Sequence, residues 1–507
     1  MKKTFTILVM LFTIIGGLGN AYAQTNVSGG IYSNTTWTKA NSPYIVTDTV
    51  VVFPGVTLTI EPGVVVKFDD KMRIEVRQGS LIAQGTAMDS ITFTSNSVSP
   101  GISSWAGIYF NMCANSVYLN YVNYKYSANG IYNNDYNGIV SITDSITIKH
   151  CKFYDNTNTV IYDYLSMDSS LIANNQYGVT AFGNTLVDSC FFTHNINYGV
   201  SAKLGNSEII SNCSFVNNTN CAILEGNCIM ANCNVINNTG TAIADCGTIV
   251  NCNIQNNGIG VQSTNLIENC HVLKNQVGIS FDWFGVARNC IIDSNYIYGI
   301  ENGCDTVVNC KIRYNKVGIY CPRNLNIKEC TKNVIDSNNI GIKLLYEGSN
   351  IYCNEICNNS SYNLYDSIVG GNNIDVPDNY WCTNDSASIR ATIYDGYDNP
   401  NLSLVHFLPI DTVACYLTTG IFEPISSTKN IIQIYPNPAS EEIQVIGNQC
   451  SVNSIEIFNL LGEKIYSAPI TDKRSPITIN IAAFAKGLYF LKVENENSVA
   501  VKTFEKE

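Results

Sequence analysis

The 507-residue chain predicts an all-β protein, a long parallel β-helix solenoid followed by a small antiparallel β-sandwich. Three landmarks recurring in step carry the first part of that prediction. Asn-Cys pairs stand at Asn212-Cys213, Asn232-Cys233, Asn251-Cys252, Asn269-Cys270, Asn289-Cys290 and Asn309-Cys310, with a weaker copy at Glu329-Cys330. The cysteines are spaced by 20, 19, 18, 20, 20 and 20 residues. A Gly-Val or Gly-Ile pair keeps the same phase at Gly178, Gly199, Gly260, Gly278, Gly299, Gly318 and Gly341. An asparagine follows each cysteine segment at Asn218, Asn238, Asn257, Asn275, Asn295 and Asn315. Upstream, Cys151, Leu171 and Cys190 extend the cysteine phase.

A period near 20 has few structural solutions. Leucine-rich repeats share the length but need a Leu-rich consensus that is missing, and no 3.6-residue periodicity points to helices. In Cys213-Ser-Phe215, Cys252-Asn-Ile254 and Cys290-Ile-Ile292 the apolar residues lie two apart, as a strand with one inward face requires. Three such strands and their turns make one coil. Stacking coils about 4.8 Å apart sets Cys over Cys and Asn over Asn. The stacked amides can then hydrogen-bond along the axis, and asparagine also suits left-handed turn positions.

Composition agrees. Only 14% of residues are charged, against roughly 25% in ordinary globular proteins. Asparagine fills the gap, with 66 residues, 52 of them between positions 101 and 400. Apolar residues at 45% argue against disorder, and a net charge of -12 argues against nucleic-acid binding. Lys2 and Lys3, the apolar run from Ile7 to Leu18, and Ala21-Tyr22-Ala23 read as a signal peptide over residues 1–23. Past it, no run approaches 18 uninterrupted apolar residues, so no transmembrane segment is expected.

The repeats resemble those of secreted right-handed parallel β-helix proteins of the pectate-lyase-like superfamily. Thr57-Leu-Thr-Ile-Glu-Pro-Gly-Val-Val-Val66 resembles the first coil of such solenoids, with Glu61-Pro62-Gly63 as its turn. Asn379-Tyr380-Trp381, Ile393-Tyr394-Asp395 and Val405-His-Phe407 resemble a closing coil, although Cys382 stands where the family has glycine. With its caps the solenoid is assigned residues 24–415, and Thr418 to Asn430 reads as linker sequence within 416–430.

Residues 431–507 form a separate module. Ile443-Gln-Val445, Ile455-Glu-Ile457, Ile477-Thr-Ile479 and Leu488 to Val493 alternate as antiparallel strands do. Tyr435-Pro-Asn-Pro438, Ile457 to Gly462, Lys486-Gly-Leu-Tyr-Phe490 and the basic end near Lys502 resemble the C-terminal sorting domain of the type IX secretion system of Bacteroidetes. That resemblance implies the type IX machinery as a partner. It also implies passage through the periplasm to the outer-membrane surface or beyond, usually with loss of the tail.

Of 20 cysteines, 18 fall between Cys113 and Cys382 and most follow the coil period. Inward cysteines act as small hydrophobes, and their parallel side chains suit disulfides poorly. The off-phase Cys221, Cys228, Cys246, Cys304 and Cys321 are the stronger disulfide candidates. Cys353 and Cys357 lack a second close pair or a neighbouring His, which leaves zinc poorly supported and no metal assigned. His150 and His271 flank in-phase cysteines and are expected to face solvent.

Three functional classes remain open, one of them a structural surface-layer or matrix protein with no small ligand. The favoured one is a non-catalytic glycan-binding or adhesion protein, with Phe281, Trp283, Phe284, Tyr298 and Tyr320 as a sugar-binding platform. An extracellular polysaccharide would be the partner. The alternative is a lyase or hydrolase acting on acidic polysaccharide. The Gly-His-Gly and Arg-Ile-Lys elements of polygalacturonase-like members are absent, leaving Glu268, Asp282 and Arg288 as the catalytic candidates. No cofactor is evident, and Ca²⁺ is the one that the lyase alternative would bring. Asp-Ser/Thr-apolar triplets resemble the O-glycosylation acceptor of Bacteroidetes exported proteins. They place candidates at Thr49, Ser90, Ser145, Thr306, Ser367, Ser386 and Thr412; turn aspartates leading into strands are the competing reading.

Overall fold

The computed structural model describes residues 24–415 apart from 112–116, 134–145, 164, 183–184, 204–207, 225, 283–284, 303–304 and 323–326. Towards the C-terminus it describes 432–435, 439–447, 452–459, 464–469, 477–495 and 498–506. The chain divides into two compact units, Met1–Leu417 and Thr418–Glu507.

The first unit is a parallel β-solenoid. Each coil lays down three short strands, for example Cys246–Val250, Asn253–Gln255 and Ile259–Gln262. Each strand pairs in parallel with its equivalent one coil on: Leu266–Glu268, His271–Leu273 and Val277–Phe281. The first column of strands is a 14-stranded sheet. The second and third belong to one 31-stranded sheet, joined where Tyr44–Val52 pairs with both Val65–Phe68 and Arg73–Arg77. Among the described residues, helix is confined to Ser386–Arg390 and a 3-10 turn at Lys39–Asn41. Among the described residues, no helix is long and apolar enough to cross a membrane.

The corners explain the repeat. Between the first and second columns the chain turns through a left-handed residue, Asn212, Asn232, Asn251, Asn269, Asn289 and Asn309, with φ of 53–55°. Asparagine tolerates this conformation better than other non-glycine residues. The next residue, cysteine, points inward and is buried. Its Sγ accepts the backbone N–H of the cysteine one coil earlier, at 3.4 Å from Cys190 to Cys213 and from Cys213 to Cys233. The column continues as Asn333, Asn354 and Asn379, whose Oδ1 atoms take the same N–H from the preceding coil at 2.8–3.1 Å. Ser170, rather than Leu171, occupies the position between Cys151 and Cys190; its Oγ accepts from Cys151 N–H at 3.0 Å. Leu171 instead pairs beside Lys152 and Phe191. Coil length varies from 18 to 25 residues, which leaves the phase free, and an apolar Leu is an easy false match.

The second corner carries the asparagine ladder. Asn238 donates its backbone N–H and its Nδ2–H to Asn257 Oδ1 at 2.9 and 3.0 Å, and accepts the same pair from Asn218. Its Nδ2 also reaches Phe215 O at 3.2 Å. The pattern runs unbroken from Asn156 to Asn359, and every ladder member from Asn156 to Asn338 is buried. Here the residue before each ladder asparagine takes the left-handed conformation, as at Asn217, Asn237 and Lys274. The glycine landmark packs beside the ladder. A Cβ on Gly278 would lie 2.4 Å from Gly299 O and 2.9 Å from Asn295 Nδ2, so no side chain fits.

Cysteine chemistry differs from the sequence expectation at one point. The disulfides among the described residues are Cys353–Cys415 and Cys357–Cys382, both in the closing region. Cys221, Cys228 and Cys246 are buried free thiols, Cys321 is buried, and Cys304 lies outside the described residues. Cys353 and Cys357 find their second pair at Cys382 and Cys415, 25 and 62 residues from their partners, which local spacing does not reveal. Cys382 has φ of 58°, the left-handed region that glycine enters without strain. Trp381, Ile393, Val405 and Phe407 are buried in the last turns.

The second unit consists of antiparallel sheets. One holds Ile432–Tyr435, Glu442–Gly447 and Ile477–Asn480; the other holds Lys464–Pro469, Val452–Phe458, Gly487–Asn495 and Ser498–Lys506. Ile443, Val445, Ile455, Ile457, Leu491 and Phe504 are part of its core. Parts of the Tyr435–Pro438 and Ile457–Gly462 motifs fall outside the described residues.

Replacing Asn238 by Ala strands the Asn218 N–H and breaks the ladder in both directions. A loss of roughly 2–4 kcal/mol is expected in urea denaturation, whereas Asn232→Gly at an exposed corner should stay within about 0.5 kcal/mol. Asp366 supplies a pH test. Burial, with Asp395 nearby, pushes its carboxyl up to about 6, against the backbone N–H of Ile368. The native state therefore holds this proton to higher pH than the unfolded chain does, and the associated stability is lost as pH rises from about 4 to about 6. Asp366→Asn should remove that loss, so its stability advantage over wild type grows between pH 4.5 and 7 in thermal melts.

Candidate functional site

The third face carries the most developed surface feature. Outward positions are found by counting two residues past each landmark glycine: Thr180, Ser201, Gln262, Ser280, Glu301, Tyr320 and Lys343. Strand register stacks them coil on coil and continues the row to Tyr365 and Tyr394. Small and mid-sized side chains in the middle coils leave a cleft of ≈ 630 Å³ floored by Leu224, Ala244 and Gln262. Tyr177 and Tyr198 stand on one side of it, with ring centroids 5.5 Å apart. Tyr198 Oη and Thr180 Oγ1 are hydrogen-bonded at 2.7 Å, which fixes the ring. Asp245 and Asp282 line it where the strands end.

A second aromatic group lies further along the face. Tyr298 stacks on Tyr320 at 4.7 Å, and Tyr365 stacks on Tyr394 at 4.5 Å. Lys343 sits between them, its Nζ 5.8 Å from the Tyr320 ring and 5.2 Å from the Tyr365 ring. Five coil steps separate Tyr198 from Tyr298, a span of roughly 24 Å at the inter-strand spacing. Glu301 stands between cleft and stack. Burial raises its carboxyl above the ordinary value, the Ser280 hydrogen bond opposes this, and the charge of Asp282 adds to it.

The structure divides the sequence candidates. Glu268 and Arg288 are register partners on the first face, with Nη1 3.9 Å from Oε1. Asp282 lies in the turn after Val277–Phe281 on the third face and accepts a hydrogen bond from Ser263. Asp282 follows a strand of the third face whereas Arg288 belongs to a strand of the first, so the three do not form one cluster; among the described residues no ion pair links Asp282 to Arg288. Phe281 is fully buried and stands in the core, not on the platform. Its ring occupies the space where Gly285 would carry a Cβ. Tyr298 and Tyr320 are partly exposed, and Trp283 and Phe284 lie outside the described residues. Tyr177, Tyr198, Asp245, Gln262, Glu301 and Lys343 were missed because they show themselves only in register.

Other candidates are scattered. Ser386 and Thr412 are exposed, Thr49, Ser90, Thr306 and Ser367 are partly covered, and Ser145 lies outside the described residues. Asp385, which precedes Ser386, caps the short helix through Ser388 N–H at 3.0 Å. His150 and His271 are half-buried, and burial lowers the pKa of both. Two groups of three potential metal ligands occur among the described residues: Cys353, Asp411 and Cys415, and Glu355, Cys357 and Cys382. In each, the two sulfurs are bonded to one another, which removes the thiolates a soft metal needs.

Fold and tail together define an exported parallel β-helix protein of the pectate-lyase-like type with a sorting domain. Residues 29–157 match the family described as the pectate-lyase-like beta helix domain, and residues 433–507 match the secretion system C-terminal sorting domain. That tail indicates export by the type IX system to the cell surface or extracellular space. No curated protein matches the sequence significantly. Among solved structures, the chain is similar to the periplasmic alginate epimerase AlgG at 11% identity and TM-score 0.25, covering 72% of this chain and 78% of that one. It is similar to the A-module of a mannuronan C-5 epimerase of Azotobacter vinelandii at 12% identity and TM-score 0.22, covering 65% and 88%. Tailspike protein 3 of bacteriophage CBA120 matches at 10% identity and TM-score 0.25, covering 76% and 60%.

Proposed function

We propose that this protein binds extracellular glycan without cleaving it, as a surface or released adhesion-type protein. In this reading residues 1–23 direct it to the periplasm, the solenoid of residues 24–415 is the working part, and residues 431–507 are its address. The observation that supports the reading is the third face, where Tyr177 and Tyr198 stand on one side of the cleft and the Tyr298–Tyr320 stack lies further along the same face. Aromatic rings stack on the apolar faces of sugar rings, and the amide and carboxylates between them accept hydroxyl hydrogen bonds. A length of roughly 24 Å suits an extended chain of several sugars rather than one small ligand.

One observation favours an enzyme as the second reading. Burial raises the carboxyl of Glu301, and the charge of Asp282 acts on it; two neighbouring carboxyl groups are what glycosidic cleavage uses. A lyase or hydrolase acting on acidic polysaccharide would then work on the third face, not at Glu268 and Arg288.

The test is affinity electrophoresis and depolymerisation of neutral and acidic polysaccharides by the exported protein, with and without Ca²⁺. Retention on at least one polysaccharide without chain shortening is expected, with Tyr198→Ala and Tyr320→Ala each weakening retention about tenfold. Shortening that disappears in Glu301→Gln would replace binding by catalysis; neither retention nor shortening would leave a purely structural role. We also carry forward Ser386 and Thr412 as O-glycosylation sites. Added hexose on the native secreted protein, located to peptides containing these residues, is the expected result; an intact mass equal to the bare chain removes the idea.

A further inference from the structure

We propose that Cys228 and Cys246 form a third disulfide in the exported protein, a staple between two coils in the middle of the solenoid. Both are buried free thiols with Sγ atoms 2.6 Å apart. That is well inside the roughly 3.5–4.0 Å at which non-bonded heavy atoms settle.

The approach has a local cause. Strands Gly226–Ala231 and Cys246–Val250 pair in parallel, but their register slips between Gly226↔Cys246 and Ile229↔Thr248. Three residues on the first strand therefore oppose two on the second. The extra residue breaks the in-register stacking that keeps neighbouring cysteines parallel elsewhere, and the Cys228 sulfur meets that of Cys246, whose register partner is Gly226. Cys246 also lies within hydrogen-bonding distance of Cys228 O, at 3.2 Å. Contrast the regular column, where each sulfur faces a backbone N–H of the neighbouring coil at 3.3–3.4 Å. The slip occurs where the chain has just left the cleft: Ala244 belongs to its floor and Asp245 to its edge. A bond at Cys246 would hold that edge to the coil before it.

The chemistry is thiol–disulfide exchange with an oxidant that carries a reactive disulfide. Each cysteine loses a proton, an Sγ–Sγ bond forms, and the oxidant's disulfide is broken. Its two sulfurs leave as thiols with the two electrons and two protons. Since both sulfurs are buried in the finished fold, exchange takes place before these coils close.

The experiment uses the full protein recovered from the oxidising side of the membrane. It is denatured without reductant, alkylated, and cleaved at Glu225, Met230 and Asp245, which isolates Cys228 from Cys233 and separates it from Cys246. The expected product is a linked pair containing Cys228 and Cys246. On reduction it should split into two peptides whose summed mass exceeds the pair by two hydrogens. Cys270, in the regular column, should be alkylated without reduction and reports that the reagent had access. Alkylation of both Cys228 and Cys246 in the unreduced sample would overturn the proposal, as would a link from either one to a different cysteine.

Discussion

From Asn156 to Asn359 the coils rest on one hydrogen-bond pattern: an asparagine oxygen that accepts both a backbone N–H and an amide N–H from the coil before it. The corner between the second and third faces would otherwise bury unpaired backbone donors, and a buried unpaired donor is expensive. The repeated side chain removes that cost at each step while its amide ties three coils together. Composition, chain length and low charge all follow. The interior needs one asparagine per coil, solvent-side corners favour another, and long charged side chains have no interior place in so thin a cross-section.

The cysteine column is a softer version of the same arrangement. A sulfur accepts the neighbouring N–H at longer range than an oxygen does, and it fills the core as an apolar group. Towards the closing turns the column changes to Asn333, Asn354 and Asn379, with oxygen replacing sulfur at shorter distance. The two residue types are therefore interchangeable solutions to one geometric requirement, which is why the period survives the change of residue.

The coil architecture was legible in the sequence because each landmark has a physical reason to recur. Cys, Asn and Gly mark an inward corner, a ladder corner and a close backbone approach, and all three reappear in register. The site was legible only in part. Tyr298 and Tyr320 drew attention as exposed aromatics, but Phe281 belongs to the core, since alternation within a five-residue strand decides a side chain's face and composition does not. Glu268 and Arg288 are true neighbours, one coil apart, whereas Asp282 lies across a corner. Adjacency along a solenoid follows register between coils, so residues such as Tyr198 and Lys343 acquire meaning only once the columns are aligned. The two disulfides were hidden for the same reason.

The closing region has a consequence for the exported state. A solenoid ends in open sheet edges that invite further strands, and such edges are a route to end-to-end polymerisation. Here Trp381 and Phe407 are buried in the last turns, and two disulfides cross-link this region, one of them ending at Cys415. Both cross-links join residues of the solenoid, so removal of everything beyond Cys415 leaves them intact.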